Sequence, residues 1–204
     1  RATRDGGGGE FTRLLRGLLP VADAQLRQDH SRLQAVRAAR REQAERWFDA
    51  RAQGWDSERD LGVDPGAVEH AIAALFAEAP AQRLLDIGTG TGRMLQLLAP
   101  HVSEGLGIDL SRDMLAVARA NLDRAQLTHC QVRQGDMYQL PMPDGSAGAA
   151  VLHQVLHFAD RPLAALTEAR RVLAPGGRLI VVDLAAHDQE WLRSEKRHRR
   201  LGFS

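Results

Sequence analysis

A chain of 204 residues holds one α/β domain with a true core plus an appended segment; its 44% hydrophobic content suits a globular fold whose interior, at only 4% aromatic, rests on Leu, Ala, Val and Ile. A net charge of +1 excludes a global field toward nucleic acid or anionic lipid, and a single cysteine excludes an intramolecular disulfide or a multi-cysteine site, so no metal is expected. No apolar run approaches the length of a membrane span and no signal-peptide pattern is present, which makes the cytoplasm the expected address.

Residues 1–9 include four consecutive glycines and are expected to form a flexible linker. Residues 11–19 are a short apolar helix candidate closed by Pro20. Residues 21–52 contain no Gly or Pro and are rich in Ala, Leu, Arg, Gln and Glu, which predicts a long helix. Its apolar positions Leu26, Leu33, Val36 and Trp47 are sparse. That suits either a solvated connector or a helix that packs on another subunit or domain. After Gly54, Asp64-Pro65 marks a helix start. This helix runs to about residue 78, with Val68, Ile72, Leu75 and Phe76 on one face, and Pro80 closes it.

From there strand and helix alternate. Strands are expected at 83–87, 105–108, 128–133, 149–152 and 178–182. Helices are expected at 93–98, from Ser111 to about 124, and at 162–173, with Pro175-Gly176-Gly177 a turn. Single helices between strands mean βαβ units, a parallel sheet and a doubly wound, Rossmann-like α/β fold. Cys130 reads as a small buried residue on the third strand.

The central motif is L-L-D-I-G-T-G-T-G-R, from Leu84 to Arg93, placed where a strand ends and a helix begins. Gly88 permits a tight turn, Gly90 lets a ligand approach the backbone, and Gly92 lets the helix pack close to the strand. Main-chain N–H groups at the helix start then face the crevice. The spacing is G-x-G-x-G, not the G-x-G-x-x-G of dinucleotide enzymes. A second strand ends in Gly107-Ile108-Asp109, about 20 residues after the first glycine, where an acid reaches ribose hydroxyls. A third leads to Gly135-Asp136-Met137.

On these motifs the stretch from Leu84 to Asp183 resembles the class I S-adenosylmethionine-dependent methyltransferases, in the branch that methylates quinones and other small molecules. The segments V-L-H-Q-V-L-H-F from Val151 and A-R-R-V-L-A-P-G-G-R-L-I-V-V-D from Ala169 extend the match. The resemblance implies that Asp86 orients the methionine ammonium, that Gly88, Thr89 and Gly90 cup the methionine moiety with Gly92 also among the cofactor-binding residues, and that Asp109 holds the ribose. It implies further that Leu110 lies against the adenine, that Asp136 bonds its amino group, and that Met137 packs beside the ring. One departure stands out: the family's aromatic-Asp pair at the start of the fourth strand is replaced by Ala147-Gly148.

Methyl transfer from a sulfonium is an in-line displacement, so the protein must align donor and acceptor and exclude water. A base is needed only where the acceptor must lose a proton. His153, Gln154 and His157 follow the fourth strand and face the methyl group in the family. Either histidine is a candidate base, His153 also a cofactor contact; the alternative is that they cap the strand or bond its backbone. Tyr138 lines the cleft or belongs to its loop. Phe48 and Trp55 lie in F-D-A-R-A-Q-G-W-D, which resembles the covering segment of this branch, and they either form a lid or pack the helix onto the sheet.

The Arg-rich helix and the ending H-R-R-L-G-F-S resemble bacterial ArsR-type winged-helix regulators fused to a methyltransferase domain. Here no winged helix is present, so DNA contact is expected only through such an absent domain. The organisation expected is a linker at 1–9, a helical connector and lid at 10–62, and the cofactor-binding domain at 63–204. In the family the sheet order is 3-2-1-4-5-7-6, and no sequence remains for strands 6 and 7, so either the chain is a piece of a longer protein or the edge of the fifth strand is covered by a partner, a swapped segment or its own terminal helix. The bare fifth strand or the long helix is then a candidate homodimer surface. Three functions compete: methyl transfer to a small molecule, cofactor or ligand sensing for a regulator, and quinone C-methylation. Arsenic methylation is disfavoured, because Cys130 alone cannot supply the thiol ligands.

Overall fold

The computed structural model describes residues 24–54 and 65–204. The expected linker at 1–9, the helix at 11–19, Trp55 and Asp64 lie outside these residues. The chain forms two compact units, Arg1–Gln43 and Ala44–Ser204. Helix α1, Ala24–Asp49, runs from the first into the second. In the first unit Leu33 and Val36 are nearly half exposed, and Gln25 donates to Asp29 at 3.0 Å.

In the second unit, a short 3-10 turn, Ala52–Gly54, follows α1. Then come α2 (Pro65–Glu78), β1 (Ala81–Ile87), α3 (Arg93–Leu98), β2 (Val102–Asp109), α4 (Arg112–Arg124), β3 (Cys130–Gln134), β4 (Ala147–His153), α5 (Pro162–Val172), β5 (Leu173–Val182) and α6 (Trp191–Glu195). The five strands form one parallel sheet in the order β3-β2-β1-β4-β5. The alternation read from the sequence is therefore the Rossmann-like α/β fold, with the order reversing between β1 and β4.

Alternation along the strands divides the core between the two faces. Leu85, Ile87, Ala150 and Leu152 join Ala165, Ala169 and Val172 of α5. Leu84, Ala149 and Val151 join Ile72 and Phe76 of α2, with Met94, Leu95 and Leu98 of α3. β4 is built from small residues, and its interior positions are fully buried. Cys130 opens β3 at 6% exposure.

Several expectations change in detail. β2 starts at Val102, because its polar Ser103-Glu104 section still pairs with β1, and Arg83 meets Glu104 at 2.7 Å. β5 starts at Leu173, and residues 175–177 bulge out of its ladder with β4. Leu75 is not on the buried face of α2; it is 49% exposed, while Glu69 takes an inward place by forming a bidentate pair with Arg93 at the start of α3. Gly92 has φ +81°, and a methyl group there would lie 3.2 Å from Ala118 Cβ, so it admits α4 rather than a strand.

After β5 the chain turns back at the carboxyl end of the sheet. Phe203 N–H donates to the Leu184 carbonyl at 2.9 Å, and the Ala186 N–H to the Phe203 carbonyl at 3.0 Å. Among the described residues no strand pairs with the outer side of β5. No helix of these residues is long and apolar enough to cross a membrane.

Candidate functional site

The site is built where the carboxyl ends of β1, β2 and β4 meet, at the reversal of strand order that opens a crevice in doubly wound sheets. β1 ends in Asp86 and Ile87, and the glycine loop turns back at once. The N–H groups of Gly88 and Thr89 donate to the Ile108 carbonyl at 2.7 and 3.0 Å, which ties the loop to β2. Gly88 sits at φ +73°, and a methyl group there would lie 2.3 Å from Val155 Cγ2. Only glycine meets both demands.

Two carboxylates face this loop, Asp86 buried and Asp109 half-buried. Asp86 is 1% exposed, and its Oδ2 accepts from Thr89 Oγ1 at 2.6 Å. Burial raises its pKa from 3.8 to about 7, against the pull of the Thr89 hydroxyl and with a further push from Asp109. Thr89 reaches this position because Gly107 lacks a side chain, which would otherwise meet Oγ1 at 2.6 Å. Asp109 ends β2. Its two oxygens accept from the N–H of Gly90 and of Ser111, both at 2.9 Å. Burial outweighs these bonds and raises its pKa, with the charge of Asp49 adding to the rise.

Beyond β2, half-buried Leu110 precedes Ser111, whose hydroxyl caps α4 by accepting from the Met114 N–H at 3.1 Å. Beyond β3, Asp136 Oδ1 accepts from the Tyr138 N–H at 2.9 Å, and Met137 packs on the α5-side core. Tyr138 is held from both sides: Arg161 donates its N–H to the hydroxyl at 3.2 Å and lays its guanidinium 4.6 Å from the ring centre. Arg171 fixes the rest of that loop, donating to the carbonyls of Leu140 and Met142 and pairing with Asp144 and Glu168.

At the end of β4 the two histidines separate. His153 is half-buried in the last ladder position, opposite Val182. Gln154 turns the chain with φ +54°, a strained value for a non-glycine residue, and its N–H donates to the Val182 carbonyl. His157 is interior at 2% exposure, with Nδ1 2.7 Å from Asp183 Oδ1. Burial works against the charge of Asp183, yet the bonds from His157 and from the Leu156 and Leu184 N–H groups hold its carboxyl below the usual range. His198 stacks on His157 at 4.1 Å, and burial lowers its pKa to about 4, helped by His157 and His187. The Arg199 and Arg200 N–H groups both donate to the His157 carbonyl. Sequence reasoning missed Asp183 and His198, which lie far from the loop they hold.

The end of α1 also reaches the crevice. Phe48 meets Phe158 edge to face at 4.9 Å, and Asp49 Oδ1 accepts from the Ser111 hydroxyl. Phe48 was expected in this segment; Asp49, one residue on, was not.

Residues 85–181 match the family described as "Methyltransferase domain". A demethylmenaquinone methyltransferase of Deinococcus radiodurans is 39% identical over 127 residues, covering 60% of this chain and 51% of that protein. Among solved structures, the YcgJ protein of Bacillus subtilis gives a TM-score of 0.58 at 26% identity, covering 65% of this chain and 62% of that one. The DhpI–SAH complex gives 0.61 at 26% identity, covering 72% and 70%. The chain has the fold of the class I S-adenosylmethionine-dependent methyltransferases. It spans between 30% and 56% of the length of the curated relatives it matches.

The crevice fits S-adenosylmethionine on its own geometry. A buried carboxylate beside a half-buried one suits a ligand that brings positive charge and hydroxyl donors to these strand ends. Glycine at 88, with a positive φ and no room for a side chain, leaves the loop backbone at the crevice floor. His153 and Gln154 are half-buried at the end of β4, while His157 is buried.

Proposed function

We propose that this chain binds S-adenosylmethionine in the crevice and transfers its methyl group to a small-molecule acceptor. The observation that carries the reading is the pair of buried Asp86 and half-buried Asp109, laced to one glycine loop from two adjacent strands. In this reading residues 63–204 are the cofactor-binding domain, and 10–62 serve as connector and lid.

When bound, the cofactor supplies a methyl group already activated by its sulfonium. Asp86 holds the methionine ammonium, and Gly88, Thr89, Gly90 and Gly92 shape the floor beneath it. Asp109 accepts from the ribose hydroxyls, while Leu110, Asp136 and Met137 flank the adenine. The turn after β4, with His153 and Gln154, faces the acceptor. Of the two histidines, His153 is the better placed to take a proton, because it is half-buried while His157 is buried at 2% exposure. His157 instead positions the turn. Phe48 and Tyr138 close the sides and exclude water.

The test is calorimetry with S-adenosylmethionine and its demethylated product, followed by turnover with labelled cofactor on a panel of acceptors. Demethylated quinones belong in that panel, since relatives of Deinococcus and Thermus are named for that chemistry. Binding of both ligands is expected, with Asp109→Ala weakening it by about 1–3 kcal/mol. No heat from folded protein with either ligand overturns the reading. Binding without product from any acceptor favours a sensing role instead.

A further inference from the structure

Phe48 and Asp49 are neighbours in sequence, yet they touch opposite banks of the crevice. Phe48 packs edge to face on Phe158, in the turn after β4. Asp49 Oδ1 accepts from the Ser111 hydroxyl, in the turn after β2, and, at 3.4 Å, from the Asp113 N–H at the start of α4. The segment is thus a strap across the carboxyl ends of the strands, pinned at both sides. Short local bonds keep it compact: Arg51 N–H to the Phe48 carbonyl, and Gly54 N–H to the Arg51 carbonyl, both at 3.0 Å. Ala52 is buried at 2%.

The Asp49 end is joined to the ribose carboxylate. Ser111 gives its hydroxyl hydrogen to Asp49, accepts from Met114 at the start of α4, and donates its N–H to Asp109. Asp109 in turn accepts from Gly90 of the glycine loop. One bonded series therefore runs from strap to N-cap to ribose acid to cofactor loop. Asp49 also lies at the amino end of the 13-residue helix α4, where a negative charge is favoured.

We infer that Asp49 is a positioning residue that latches the strap shut over the cofactor through Ser111, so that release and entry of cofactor both require this bond to open. This rests on the cofactor reading above. A latch has a kinetic signature that a merely structural residue lacks. Weakening it raises the association and dissociation rates together and moves the Kd little. Loss of structure around Asp109 instead slows association or leaves it unchanged while Kd rises.

The experiment is stopped-flow binding and chase of S-adenosylhomocysteine on the whole chain. Asp49→Ala is expected to speed both rates by about tenfold, the scale of one lost charged hydrogen bond. Asp49→Asn keeps the acceptor oxygen and is expected to stay within about twofold of the parent protein. Unchanged rates in Asp49→Ala, or faster release without faster entry, overturn the latch. If Asp49→Ala fails to fold, hydrogen exchange on the parent protein decides: the amides of Arg51 and Gly54 must be further protected by the ligand. Equal exchange with and without bound ligand also overturns it. A parent protein that binds no ligand at all defeats the cofactor reading itself, which the same traces reveal.

Discussion

Asp86 concentrates the electrostatics of the crevice in one carboxyl group. Without a cationic partner its pKa is raised from 3.8 to about 7, with burial the main cause. Between those values the folded protein holds a proton that the unfolded chain has released. The stability from this group is therefore present below pH 3.8 and is lost as the pH climbs through about 7. A ligand ammonium needs the charged form, so binding below about pH 7 must expel that proton. Affinity for S-adenosylmethionine is expected to weaken as the pH falls from about 7, by at most about tenfold per unit for one proton. Calorimetry near pH 6 in two buffers of different protonation enthalpy should register the released proton. Asp86→Asn should flatten the profile. A parent protein whose affinity is level across that range would falsify the assignment of this proton to Asp86. Asp183 shows the opposite case. Its pKa is lowered, so its contribution to stability is present above the ordinary carboxylate value and lost as the pH falls through the folded one.

At the scale of elements, the glycine loop and the turn after β4 are shaped against each other. Gly88→Ala imposes φ +73° on a residue with a side chain, at a cost of about 1–2 kcal/mol, and drives its methyl group into Val155. That overpacking adds about 1–3 kcal/mol. Gly88→Ala with Val155→Ala should recover the packing share and not the backbone share, so thermal unfolding of the pair should fall between parent and single variant. A double variant no more stable than Gly88→Ala would show that the contact with Val155 carries no weight. The loop itself was legible in the sequence because its signal is local: glycines at alternate positions, a strand before and a helix after. Ser111 was legible as a cap for the same reason, since its partner Met114 lies three residues on. The bond from Ser111 to Asp49 spans 62 residues, and that between His157 and Asp183 spans 26; neither leaves a periodic trace. Strand starts were misread where hydropathy failed to track pairing. Polar Ser103 and Glu104 belong to β2, and β5 begins before its bulge.

For the molecule as a whole, the two outer strands of the sheet are unlike. β3 is five residues long and carries Gln131, Arg133 and Gln134, polar groups that discourage pairing with another chain. β5 is ten residues long, and Arg178 is its only charged side chain. Even that charge is engaged: the guanidinium lies 4.4 Å from the Phe76 ring centre and donates to the Ala79 carbonyl. The run Leu179 to Val182 follows without a charge, and Val181 is 43% exposed. The terminal segment bonds to residues 184–187 and to His157, at the carboxyl end of the sheet, and so leaves the length of β5 without a strand beside it among the described residues. An apolar edge of this length is a template for a further strand. This 204-residue chain is therefore expected to self-associate through β5 as its concentration rises. Val181→Lys places a charge on that edge and should suppress the association, while thermal stability moves by no more than about 0.5 kcal/mol, as for an ordinary surface change. Light scattering over a concentration series reads the effect directly. A parent chain that stays monomeric throughout would mean that the folded-back terminal segment protects the edge sterically, and Val181→Lys would then change nothing.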